Sequence, residues 1–171
     1  MTAPCCARST SSGATASAGR LTAAVSIRGT SAGASALSAH MVAFGGPGEV
    51  PKQRLAQLSA GLGLLPGAVI DQHFSQRNRL GRLLLLVAES PSQLGIGVDE
   101  DTAAVIQPDG VLEVLGKGTV TIVDGSRAES DAFEVRARRP VLVSGVVLAI
   151  VSAAAWAYKL SPSTGWPKCC K

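Results

Sequence analysis

The pentapeptide Gly29-Thr30-Ser31-Ala32-Gly33, entered from the β-branched run around Val25-Ser26-Ile27, limits this chain more than any other stretch. Two glycines around small residues suit a sharp strand-to-helix turn that holds a serine hydroxyl clear of a sheet. Such a turn needs a strand before it and a helix after it, so the expectation is an α/β fold. A hydroxyl is a poor nucleophile near neutral pH and requires a base within hydrogen-bond reach and an acid that orients the base. Alone, the pentapeptide is a weak signal, because a linker rich in Gly, Ala and Ser produces it equally well.

The partners lie downstream. The chain has two histidines. His40 falls in the helix expected from Ala32 to about Phe44, two turns from Ser31, and reads as a helix-surface residue. His73 stands where the apolar run Ala68-Val69-Ile70 gives way to Asp71-Gln72-His73. Glu100 stands where Gly95-Ile96-Gly97-Val98 gives way to Asp99-Glu100-Asp101. All three groups thus fall at the ends of predicted buried strands, the edge at which active sites of open α/β sheets assemble. The order Ser, His, acid differs from the Ser, acid, His of α/β-hydrolases. A metal site built from Asp71, His73 and the Asp99–Asp101 cluster is the competing reading. It lacks the fourth N or S donor or repeated spacing of a closed zinc site.

The strings GTSAGASALS, GLGLLPGAVIDQHFSQRNRLGRLL and GIGVDEDTA resemble the cyanophycinase family of serine peptidases, which also contains the aspartyl dipeptidases. The resemblance spans residues 25–151. It implies a three-layer α/β sandwich of the class I glutamine amidotransferase-like type, with Ser31 as nucleophile, His73 as general base and Glu100 as the orienting acid. The backbone N–H of Ala32, next after the nucleophile, is an oxyanion donor. Asp71, Gln72 and Arg77 match motif positions near the site and are expected to bind substrate. The implied substrate is cyanophycin, a polyaspartate carrying arginine side chains, cleaved to β-Asp-Arg dipeptides; aspartyl peptides are the alternative. No organic cofactor or metal is implied. Family domains carry several strands and a glycine-rich loop before the elbow, and fewer than thirty residues precede Gly29 here. The sequence therefore reads as the C-terminal portion of such a domain, incomplete at the N-terminal side, and an inactive remnant is the rival to an active peptidase.

A hydrophobic fraction of 46% and a charged fraction of 16% fit a buried, sheet-centred core. The net charge of +4 comes without aromatic interleaving or a basic stripe, which argues against nucleic-acid binding and agrees better with an acidic substrate. Residues 1–24 have no apolar h-region and do not read as a secretory signal; their acid-free, Arg- and Ser-containing character resembles an organelle transit peptide and equally a low-complexity segment. The reading adopted is a disordered low-complexity tail, with 152–171 as a divergent, disordered tail and a cytoplasmic location expected. The four cysteines, Cys5, Cys6, Cys169 and Cys170, have neither metal-ligand spacing nor a disulfide framework. A homodimer is left open.

Further expectations concern the elements. Residues 49–60 read as a short polar helix, and Phe74–Glu89 as a helix with Leu80, Leu83, Leu84 and Val87 on one stripe. Arg82 lies opposite that stripe and reads as solvated. Arg77, one turn after His73, is placed to hold a substrate carboxylate. Strands at Ala103–Ile106, Val111–Leu115 and Thr119–Val123, with glycine turns between, form a meander. The uncharged run from Val141 to Tyr158 is long enough to span a membrane, but its Val-rich first half reads as a buried strand.

Overall fold

A computed structural model describes residues 26–154 and 158–159. The four cysteines and the tails before residue 26 and after 159 lie outside the described residues. At the centre is a four-stranded sheet of β3 (Ala68–Gln72), β4 (Leu94–Val98), β7 (Thr119–Asp124) and β10 (Val147–Ser152). Strands β3 and β4 are parallel, joined through the helix α2 (Leu80–Glu89), and β7 and β10 add antiparallel. Around this sheet stand a one-turn helix α1 (Ala32–Ala36), a hairpin β1–β2 (His40–Gly45, Ala56–Ala60) and a hairpin β5–β6 (Thr102–Ile106, Val111–Gly116). Two short strands, β8 (Glu129–Ser130) and β9 (Val143–Ser144), pair with each other, and β11 (Tyr158–Lys159), within the stretch read as a tail, pairs with β6.

Side-chain alternation divides the sheet into two faces. On one face Ala68, Ile70, Leu94, Ile96, Val120 and Ile122 pack with Leu112 and Val114 of the β5–β6 hairpin. On the other, Val123 meets Leu83 and Val87 of α2 together with Phe74. Gly95 and Gly97 are what let that second layer come close. A Cβ on Gly95 would sit 2.9 Å from Val87 Cγ2, and one on Gly97 within 2.6 Å of the Phe74 ring. The β1–β2 hairpin closes over α2, placing Ala56 against Leu86 and Val69.

Several expectations are corrected here. The helix after the elbow ends at Ala36, and His40–Gly45 is a strand; the segment read as a polar helix at 49–60 supplies its partner β2. Met41, Val42 and Phe44 lie in a strand paired with Gln57–Ser59, and backbone pairing overrides the weak helical spacing of the segment. Residues 26–30, expected to end the nucleophile strand, form no strand. The meander is broken: β5 and β6 pair, but β7 leaves for the central sheet after Gly116-Lys117-Gly118. Strand β10 lies at the sheet edge and is not buried along its length, since Val147 and Ile150 are exposed and Val151 is buried. No helix among the described residues is long and apolar enough to cross a membrane.

Helix α2 starts at Leu80, not at Phe74, and is covered on nearly every side, with Gly81, Arg82, Leu83, Leu85, Leu86, Val87 and Ala88 all buried. Arg82 is therefore not solvated. The end of β1 that the sequence reading lacked lies over it, and its Nη1 donates to the Gly45 carbonyl at 2.8 Å.

Candidate active site

Ser31 is the residue before α1, with φ 50° and ψ −127°. An L-residue is held in such a conformation only when its surroundings over-determine it, at about 1–3 kcal/mol of strain. The elbow glycines contribute unequally. A Cβ on Gly29 would lie 2.4 Å from the Gly33 carbonyl oxygen, so the chain crosses itself too closely for any side chain there, whereas Gly33 has open space. As the first residue of α1, Ala32 has an N–H with no intrahelical acceptor. The helix is only five residues long, so the dipole expected of a longer helix contributes little and the local N–H is what remains.

His73 follows directly after β3, also at positive φ (47°), and turns its ring toward the elbow. Its Nε2 lies 3.0 Å from Ser31 Oγ. Its Nδ1 lies 2.7 Å from Oε1 of Glu100, two residues after β4. Parallel β3 and β4 carry the two residues to the same sheet edge. The side chains of His73 and Glu100 are 27% and 48% exposed, so the chain of hydrogen bonds lies at an open surface. His40 is remote from it: its Nδ1 is bonded to Gln93 Nε2 at 2.8 Å, at the start of β1.

The remaining expected site residues separate. Asp71 is fully buried and cannot meet a substrate, contrary to its expected binding role. Arg82 donates to both carboxylate oxygens, through Nε to Oδ2 at 2.5 Å and through a second, short bond to Oδ1. Arg79 Nη1 stands 3.5 Å from Oδ1 and donates to the Gln72 carbonyl at 2.5 Å. The Gln72 N–H donates to Asp71 Oδ1 at 2.8 Å. Asp71 thus fixes the backbone next to His73. Burial first, and then the neighbouring charge of Arg82, hold the Arg79 guanidinium below its ordinary pKa, with Asp71 opposing. Arg77 is exposed and begins one turn after His73, its N–H bonded to the His73 carbonyl at 3.1 Å. Gln72 is half-buried, and its Oε1 is shut from solvent without a hydrogen-bond partner among the described residues.

Two carboxylates of the metal reading are already engaged. The carboxylate of Asp71 is committed to arginines, and that of Asp99 accepts bonds from Ser75 and Thr119. Among the described residues no group of three His, Cys, Asp or Glu is arranged to hold an ion. Sequence reasoning missed the residues that support Glu100. Its N–H donates to Gln76 Oε1 at 3.0 Å and its carbonyl accepts from Thr102 Oγ1 at 2.9 Å. The Gln76 contact crosses from another loop and nothing in the spacing signals it, whereas the Thr102 hydroxyl bond is local, two residues after Glu100.

Comparison with known proteins identifies the family. The model of peptidase family S51 matches residues 16–114, more than half of the chain. A protein named cyanophycinase from Trichormus variabilis is 50% identical over 129 residues, 75% of this chain and 43% of that protein. Cyanophycinases from Geminocystis herdmanii and Synechococcus elongatus are 54% and 53% identical over 101 and 96 residues, covering 59% and 56% of this chain and 37% and 30% of theirs. The chain therefore spans less than half the length of these relatives. On its sequence and over most of its described residues, it belongs to peptidase family S51.

Proposed function

We propose that this chain carries the catalytic triad of a serine-type peptidase acting on cyanophycin. The observation that supports it most is the continuous chain Ser31 Oγ, His73 Nε2, His73 Nδ1, Glu100 Oε1, starting from a serine with strained backbone. In this reading Ser31 Oγ attacks a peptide carbonyl carbon while His73 Nε2 takes its proton. The tetrahedral oxyanion is met by the Ala32 N–H. As the C–N bond breaks, His73 returns the proton to the leaving amine, and water then cleaves the acyl-enzyme by the same route. Glu100 accepts from Nδ1–H and so keeps Nε2 free as the base.

The substrate follows from the relatives' name, with β-Asp-Arg dipeptides as products and aspartyl peptides as the alternative. One local feature favours a charged peptide. Arg77 presents a guanidinium one turn from His73, beside Arg79 and Arg82 whose positive charge is matched, among the described residues, by Asp71 alone, which suits a substrate carboxylate. The parallel β3–α2–β4 unit is the part of a class I glutamine amidotransferase-like sandwich that these residues would form.

A fluorophosphonate probe tests the reading, because it reports an activated serine whether or not the polymer is bound. Labelling should fall on Ser31, be abolished in Ser31→Ala and drop sharply in His73→Ala. Labelling that survives Ser31→Ala would overturn the assignment.

A further inference from the structure

The Ser31–His73–Glu100 chain is built on loops and its acid is half exposed, so packing does not hold it together. The turn that carries His73 and the turn that carries Glu100 must be fixed to each other by something else. Asp99 lies between them. Its Oδ1 accepts the N–H of Ser75, two residues after His73, at 3.0 Å. Its Oδ2 accepts both the N–H and the hydroxyl of Thr119, at 2.9 and 2.7 Å, and its own N–H donates to the Thr119 carbonyl at 3.1 Å. One side chain, adjacent to Glu100 in sequence, thus ties the His73 turn to the Glu100 turn and both to the first residue of β7.

The neighbouring backbone is shaped around this contact. A Cβ on Gly118 would lie 2.7 Å from Asp99 Cβ and 2.6 Å from Thr102 Oγ1, and one on Gly116 would lie 2.0 Å from the Asp101 carbonyl. The Gly118 N–H donates to Thr102 Oγ1 at 2.9 Å, and that hydroxyl donates to the Glu100 carbonyl. Asp99 itself is buried and makes no ion pair among the described residues, so three donors are what offset its charge. Burial alone would raise its carboxyl, but the bonds from Ser75 and Thr119 prevail and hold it below the usual carboxylate range.

We propose that Asp99 is a positioning residue that sets the separation of His73 Nδ1 and Glu100 Oε1. It touches no substrate and acts through Glu100. This rests on reading Ser31, His73 and Glu100 as a hydrolytic triad. It predicts that Asp99 loses its influence on Ser31 once Glu100 can no longer act, which a residue needed only for folding would not do.

The test measures the rate of fluorophosphonate labelling of Ser31 in the full chain, at a temperature where thermal melts show each variant folded. Asp99→Asn should slow labelling by roughly ten- to a hundredfold, as misplacing a catalytic group by a fraction of an ångström does. In a Glu100→Gln background the same substitution should change the rate by less than about twofold, the non-additivity expected of residues acting through one contact. An equal slowing in both backgrounds, or a folded Asp99→Asn variant that labels at the parent rate, would overturn the proposal. If Asp99→Asn does not fold, Thr119→Val and Thr119→Ser carry the same comparison. The valine should slow labelling only when Glu100 is present and the serine, which keeps the hydroxyl donor, should not; valine and serine variants of equal rate would overturn it. If Glu100→Gln alone leaves labelling unchanged, the triad reading fails and this inference with it, and that failure is visible without any change at Asp99.

Discussion

Replacing Arg82 by methionine should destabilise the fold severely, although the sequence places Arg82 on the solvent side of an amphipathic helix. In the structure Arg82 and Asp71 are 4% and 0% exposed and meet through two charge-assisted hydrogen bonds. Arg82→Met keeps the length of the side chain and removes the guanidinium, leaving the Asp71 carboxylate buried. Breaking such a pair from one side costs about 3–5 kcal/mol. Losing the bond to the Gly45 carbonyl adds about 1 kcal/mol. Arg79, 3.5 Å from the same carboxylate, recovers part of the loss, so the low end applies, about 3–4 kcal/mol in total. For a chain of this size that is roughly 6–16 °C in Tm, at about 2–4 °C per kcal/mol.

The structure also fixes the sign of a second change. If the penalty comes from an uncompensated buried charge, removing that charge should relieve it. Asp71→Asn in the Arg82→Met background keeps an oxygen for the Gln72 N–H and should recover at least ~1 kcal/mol relative to Arg82→Met alone. Urea denaturation followed by circular dichroism on the four proteins of the cycle measures both quantities. An Arg82→Met variant within about 0.5 kcal/mol of the parent, the range of ordinary surface substitutions, would refute the burial argument. A double variant less stable than Arg82→Met would refute the assignment of the cost to charge.

Two other outcomes are expected. Gly97→Ala places a methyl within 2.6 Å of the Phe74 ring, and it should cost about 1–3 kcal/mol in a thermal melt and slow Ser31 labelling, because Phe74 is the buried anchor next to His73. Burial raises the Glu89 carboxyl above its ordinary pKa, with the hydrogen bond from Gln53 opposing. The folded state therefore favours protonated Glu89, and the ionisation penalty is absent at low pH and present in full above the folded pKa. Glu89→Gln should raise Tm slightly at pH 8, and the gain should vanish near pH 4; a gain of equal size at both would contradict the assignment.

The hydrogen-bonded chain of the candidate site was more legible in the sequence than the fold around it. His73 and Glu100 each sit at a break between an apolar strand and a polar turn, and Ser31 sits in a glycine-flanked turn before α1; both are local properties of a few consecutive residues. The hydrogen bonds joining them then follow from β3 and β4 being parallel neighbours, which the βαβ spacing between Ala68 and Val98 requires. The β1–β2 hairpin was illegible for the opposite reason. His40–Gly45 and Ala56–Ala60 are short segments with weak periodicity, and what makes them strands is their pairing with each other and their packing on α2.

The misreading of Arg82 is the same error seen from the other side. A helix judged by its own periodicity has one apolar face and one wet face. Helix α2 has no wet face over most of its length, because the hairpin covers Arg82 and Leu86 while Ala132 and Val141 cover Leu85 and Ala88. Without the hairpin, an arginine opposite the leucine stripe has no reason to be buried. With it, the arginine must find an anion in the core, and the one within reach is Asp71, whose place near the site motif had suggested contact with substrate. The motif DQHF therefore divides its labour along the strand end: Asp71 points inward to hold the backbone through Arg82, and His73, two residues later at positive φ, turns outward to Ser31. A sequence shows that both residues matter at that edge. Which of them faces the solvent is decided by the layers packed above and below.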